Sequence, residues 1–305
     1  MITSVFSKSK PINIIIVAVF IVLIFAISNF SSLFYDLDET LKAIIKLLTV
    51  LFSLFLLDFI ISKNNLTKKN GYAIMTFGLL FGMFPEALKY SDLLFANVFV
   101  LFALRRLISL HSNLHVKKKL FDSGFWIAIA TFFYFWAILF FALVIVALIY
   151  HSKNDVKNTI IPFVGFVTAV LLLIAYNIIV HDTYIRPTNF ERYASLDFTA
   201  YNSVEQIIKF TILFTSFVWT LIYFFRILPD KNKKLRPSFF LVAWSAVVAI
   251  LVAIIAPIKN GSEFIFLFIP FAIIMANYIE VISDSWFREV FISLLLITPI
   301  LSLLL

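Results

Sequence analysis

Carboxylates that could act on a substrate gather in two short polar stretches. In Phe34-Tyr35-Asp36-Leu37-Asp38-Glu39-Thr40, three acids stand directly ahead of an apolar run that starts at Leu41. In Phe84-Pro85-Glu86-Ala87-Leu88-Lys89-Tyr90-Ser91-Asp92, an Asp opens the next run. Asp38, Glu39 and Asp92 are the candidate catalytic residues. A carboxylate beside an acceptor hydroxyl can take its proton, or hold a divalent metal. The plainer reading is helix capping, because free N–H groups and the positive dipole end of a helix favour negative charge.

A second group, Tyr184, Arg186 and Arg192, supplies phenol and guanidinium groups suited to a lipid-linked phosphate, since Arg binds phosphate in a bidentate fork. An interfacial belt of Tyr and Arg that anchors a loop would look the same. His111, His115, His151 and His181 lack metal-ligand spacing, and the first three read as solvated. There is no cysteine, which removes disulfides, thiolate metal sites and cysteine catalysis. No metal site and no cofactor are expected, apart from a divalent metal if the three acids are catalytic.

These residues must be positioned by a chain of unusual composition. Of its 305 residues, 62% are hydrophobic and 14% charged, and the mean hydropathy is +1.03. A soluble domain carries about 25% charged residues. This chain lacks the polar surface to cover a globule in water, so lipid is its solvent. The net charge of +8 sits in short loops between apolar runs and reads as a topology signal, not as a nucleic-acid footprint.

The runs predict an all-α polytopic membrane protein of about eleven segments, forming a single integral domain over residues 1–305. They are Ile12–Asn29, Leu41–Ile61, Gly71–Pro85, Asp92–Leu104, Asn158–His181, Val204–Phe225, Pro237–Ala256, Glu263–Val281 and Phe287–Leu305, plus Gly124–Tyr150. The last stretch would make a helix of about 40 Å, long for a hydrocarbon core of about 30 Å. Charge decides its form. As one span, it would send Arg226–Arg236 with its five basic residues outside. As two short helices turning near Phe133-Tyr134-Phe135, it leaves eighteen of the twenty-five basic residues inside, as the positive-inside rule requires. The N-terminus is then cytoplasmic, the C-terminus periplasmic, and the first run an uncleaved span.

Finer marks complete this reading. Asp122-Ser123 reads as an N-cap for the Gly124 run, and Pro162 and Pro237 as first-turn prolines. Pro270 and Pro299 fall inside helices. Lys46 and Lys209 lie a turn or so inside their spans and should snorkel outward. The run Phe132–Trp136 reads as packing around a buried turn.

In order of features the chain resembles the GT-C superfamily of polytopic glycosyltransferases. The likeness rests on Phe84–Asp92 followed by Leu93–Arg106, on the paired short helices of Gly124–Tyr150, and on Asn260-Gly261-Ser262-Glu263 through Pro270 to Tyr278. It implies a GT-C-like scaffold, a polyprenyl-phosphate sugar donor at the outer face, and a catalytic acid from the first outer loop, at Asp38 or Glu39. Ser262 and Glu263 stand where the enzymes carry an Arg, and the first outer loop is short. The opening Met1–Asn13 and the whole layout are similar to an uncharacterised inner-membrane family of Bacteroidota.

Three functions follow. The first is a non-catalytic or accessory subunit of an inner-membrane assembly for envelope construction or protein export, with other inner-membrane proteins as partners. The second is the glycosyltransferase, whose partner is a polyprenyl-phosphate lipid. The third is a transporter, which needs a polar site at mid-membrane that the sequence does not offer.

Overall fold

The computed structural model describes residues 2–30, 36–151, 156–184 and 193–304. The fold is all-helical, with 84% of residues in helices. The helices are α1 (Ile2–Phe6), α2 (Pro11–Ser28), α3 (Leu37–Asn64), α4 (Tyr72–Met83), α5 (Ser91–Ile108), α6 (Val116–Phe133), α7 (Phe141–His151), α8 (Val156–His181), α9 (Val204–Ile227), α10 (Arg236–Ile255), α11 (Ile265–Val281) and α12 (Ser285–Leu304). Short 3-10 turns, such as Pro85–Leu88 and Ser262–Phe264, link some of them.

Every apolar run of the sequence falls on a helix. Among the described residues, seven helices (α2, α3, α5, α8, α9, α10 and α11) are long and apolar enough to cross a membrane, and α4 and the Phe135–His151 stretch are shorter apolar helices. This fits a multi-pass membrane protein.

Contacts gather into two compact units, Met1–Leu94 with Asp197–Asp230 and Ile258–Leu305, and Phe95–Leu196 with Lys231–Pro257. In the first unit, α4 and α11 form the core. Every residue of α4 is buried, as is Ile265–Ile279 of α11. Neither helix needs a polar face, because α2, α9 and α12 pack around them. The edge-to-face pair Phe81–Phe268, at 5.0 Å, locks the two together, and Phe77 packs edge-on against Phe81 at the same distance within α4. The outer helices keep apolar residues exposed, among them Ile15, Val19 and Leu23 on α2. That is the surface expected where lipid replaces water.

In the second unit, α6 and α8 touch backbone to backbone. A Cβ built on Gly124 would lie 2.0 Å from the Pro162 carbonyl oxygen, and one on Gly165 would lie 2.2 Å from that of Phe121. Only glycine permits that approach, the small-residue packing by which helices associate in lipid. The chain breaks at Tyr134, whose extended backbone ends α6, and a 3-10 stretch Phe135–Phe140 leads into α7. The α7 helix then returns along α6 and reaches the Ser109–Ser112 turn that precedes it. The Gly124–Tyr150 run is thus two short helices and not one long one. The aromatic run packs there: Phe133 stacks on Phe99 at 5.5 Å.

Three local expectations are corrected. Asp122 and Ser123 do not cap a helix, since α6 begins at Val116. In mid-helix, Asp122 forms an ion pair with Arg106 at 2.8 Å and Ser123 Oγ donates to the Leu120 carbonyl. Pro162 lies inside α8, which starts earlier than its apolar run. His151 is not solvated: its Nε2 is buried without a hydrogen-bond partner. Elsewhere capping follows the sequence. Asp36 accepts from the Glu39 N–H at 2.7 Å, and Ser203 from the Gln206 N–H at 3.3 Å.

Candidate functional site

The ion pairs and buried acids of the first unit concentrate where α3, the Pro85–Leu88 turn, α9 and the Ser262–Phe264 turn meet. The site starts at Gly261. Its φ of +97° is one that side-chain-bearing residues rarely adopt. The bend aims the N–H groups of Asn260 and Gly261 at Glu263 Oε2, at 3.3 and 2.9 Å. Glu263 Oε1 accepts from the Tyr201 hydroxyl, and the side chain is 1% exposed. Asn260 ties the bend outward, donating to Tyr90 Oη at 2.6 Å and accepting from the Ser262 N–H at 3.0 Å.

Glu86 stands beside this bend. A Cβ on Gly261 would lie 3.0 Å from the Phe84 ring and in ordinary contact, 3.8 Å, with Glu86 Oε2. Glu86 Oε1 is 3.4 Å from Lys209 Nζ, and Lys209 also meets Glu205 Oε1 at 2.6 Å, one turn earlier on α9. Lys209 does not snorkel. It is 1% exposed, held inward because two carboxylates offer what water would have supplied. Glu86 Oε2 is buried and has no hydrogen-bond partner.

An aromatic shell lowers the local polarity. Phe84 stacks between Phe210 and Phe264 at 5.8 Å from each, and the Tyr201 ring lies 4.3 Å from Phe210. At the rim, Lys259 lies 4.7 Å over the Phe198 ring. Burial pushes its ammonium below the usual lysine range, against the pull of Asp197. Asp197 is itself held below the usual carboxylate range by the backbone and side chain of Thr199.

This arrangement differs from the one the sequence suggests. Asp38 and Glu39 lie in the first turn of α3, and both bind Lys42, at 2.6 and 2.9 Å, with Asp38 74% exposed. Asp92 is exposed at the start of α5, beside Ser91 Oγ at 3.4 Å. Lys46 joins this end together, donating to Asn29 Oδ1 at 3.2 Å and to the Lys89 carbonyl at 3.3 Å. Tyr184 is 76% exposed, while Arg186 and Arg192 lie outside the described residues. Among the described residues, no group of three His, Asp or Glu side chains is gathered to hold a metal.

The residues that sequence reasoning passed over as a group are Glu86, Lys209, Tyr201 and Glu263. A signal for one of them was present. Lys209 is a cation inside an apolar run with Glu205 four residues before it, a spacing that faces both to one side. Nothing in the sequence marks Tyr201.

The comparisons with known proteins give one match. A family model described as "Family of unknown function (DUF6427)" matches residues 1–304. The chain belongs to the DUF6427 family. No curated protein and no solved structure matches the chain. Family membership therefore covers the whole fold and leaves the activity to the chemistry of the site.

Proposed function

We propose that this DUF6427 chain is a multi-pass protein of the bacterial inner membrane, one integral domain of about eleven segments. In this reading its N-terminus is cytoplasmic and its C-terminus periplasmic. It serves as a non-catalytic or accessory subunit of an assembly that builds the envelope or exports protein. One observation carries the reading: the acids of the first outer loop and Glu263 are already engaged. Asp38 and Glu39 share Lys42 in open solvent, and Glu263 is occupied by three donors. Groups so placed brace loops against helices, and brace a surface on which a second membrane protein can sit. Purification in mild detergent, followed by mass spectrometry, tests it. Stoichiometric membrane partners are expected, and a chain that emerges alone overturns it.

Glu86 favours the second reading, a glycosyltransferase that takes a sugar from a polyprenyl-phosphate donor on a GT-C-like scaffold. Its buried Oε2 lacks a partner and could receive the proton of an acceptor hydroxyl, and Lys209 would fix its position. A transporter is the weakest reading. Lys209 lies only five residues into α9, about 8 Å along the helix, nearer the membrane edge than its middle.

A further inference from the structure

A cavity of about 510 Å³ opens at the other end of α3 and α4, in the same unit as the acidic cluster. Its walls carry Lys8, Lys68 and Lys69 together with Asp58, Ser62 and Asn65. Asp58 and Ser62 stand one turn apart on α3, so one face of that helix forms a wall, and Asn65, its left-handed cap residue, adds to it.

The cavity is built, not incidental. The loop bearing Lys68 and Lys69 is strapped by Glu280, whose Oε1 accepts from the Lys68 N–H at 2.7 Å and from Asn70 Nδ2 at 2.6 Å. Asn277 Nδ2 donates to the Leu66 carbonyl at 2.9 Å. Across the cavity, the Ser9 N–H donates to the Lys69 carbonyl at 3.1 Å and the Gly71 N–H to that of Phe6 at 2.8 Å. The one acid that steadies the lysine loop binds its backbone and Asn70. Among the described residues the ammonium groups of Lys8, Lys68 and Lys69 form no ion pair, and neither does Asp58. Three cations and a carboxylate thus face one space without neutralising each other.

The approach to the cavity is apolar. Leu48, Phe52, Phe55 and Phe59 form an exposed stripe along α3, between 43% and 59% exposed, that runs to Asp58 and Ser62. A ligand that satisfies both features has an anionic head and hydrocarbon chains.

We infer that this cavity binds the head of a membrane phospholipid that carries a primary ammonium beside its phosphate. The phosphodiester is held by Lys8, Lys68 and Lys69 as point charges. The ammonium is held by Asp58, and the acyl chains lie along the aromatic stripe. The assignment of the cavity to the cytoplasmic side rests on the membrane topology proposed above.

The test uses the full chain in detergent, with retention of added lipid read by native mass spectrometry and stabilisation read by thermal unfolding. The probes are phosphatidylethanolamine, phosphatidylglycerol, glycerophosphoethanolamine and inorganic phosphate. Phosphatidylethanolamine is expected to be retained best, and the two chain-free probes to have little effect. Asp58→Asn should abolish the preference for ethanolamine over glycerol and leave phosphatidylglycerol binding in place. Lys68→Gln with Lys69→Gln should weaken both lipids by about tenfold or more, as loss of two charge-assisted contacts implies. If that pair does not fold, Lys8→Gln alone reads the same loss in smaller degree. Equal retention of the two lipids, an unchanged preference in Asp58→Asn, or stabilisation by phosphate alone that matches the lipid overturns the inference. A chain that leaves the membrane fraction without detergent sinks the membrane reading itself, before any lipid is added.

Discussion

Tyr201 and Glu263, 62 positions apart, are joined by a hydrogen bond from the phenol to the carboxylate. The bond pins the segment before α9 to the bend before α11. Tyr201→Phe removes the donor and leaves Glu263 buried with only its two backbone partners. A loss of about 1–3 kcal/mol is expected, the range for a buried acceptor deprived of its partner, visible as a lower unfolding temperature in detergent. A change within error would show that the backbone donors alone hold Glu263.

Lys209→Met leaves Glu86 and Glu205 without their cation. Breaking a buried ion pair from one side costs about 3–5 kcal/mol. Glu205 is 39% exposed and can turn to solvent, so the lower end of that range is expected. Lys209→Met combined with Glu86→Gln should recover much of the loss, because no buried charge is then unpaired. A double variant as unstable as the single one would argue against the pair.

Gly124→Ala places a methyl against the Pro162 carbonyl, and Gly165→Ala against that of Phe121. Neither neighbour is a flexible side-chain tip, so the helices must separate. A destabilisation of about 1–3 kcal/mol or more is expected for each, with less than additive loss in the double variant, since one displacement relieves both. Additive losses would mean that the two contacts are independent.

Asp38→Asn and Glu39→Gln remove solvent-exposed pairs with Lys42, and such pairs contribute little to stability because water screens them. Combined with Asp92→Asn, they should leave stability, cellular function and glycan profiles unchanged under the accessory-subunit reading. Loss of a glycan from well-folded triple-variant protein would restore the catalytic reading.

Single cysteines test the topology. Leu114→Cys and Asn232→Cys, at exposed positions in two basic loops, should resist a reagent that cannot enter intact cells. Asn202→Cys, in the loop before α9, should react. Labelling of either of the first two would place its loop on the outer side and refute the proposed orientation.

The helices were legible because lipid imposes a simple demand: long apolar runs with charges only between them. The break at Tyr134 was legible as well, although Tyr134 is not a turn residue by type. The charges on either side of Gly124–Tyr150 required a reversal somewhere within it. Helix starts were less so, because Val116–Phe121 is rich in lysine and reads as a loop by hydropathy, yet it forms the first turns of α6. The buried cluster was not legible. Glu86, Lys209, Tyr201 and Glu263 come from three distant segments, and a charge in a short loop looks solvated until its neighbours are known. Lys209 shows the error plainly, since snorkelling and burial differ only in whether a carboxylate waits within reach.

The turn at Tyr134 also constrains how the chain is made. The α6 helix spans about 27 Å and α7 only about 16 Å, so α7 on its own cannot reach across the hydrocarbon layer. In the proposed topology α6 and α7 therefore settle in the bilayer as one hairpin, and a chain truncated after Phe133 should hold α6 less firmly in the membrane than one that runs on through His151.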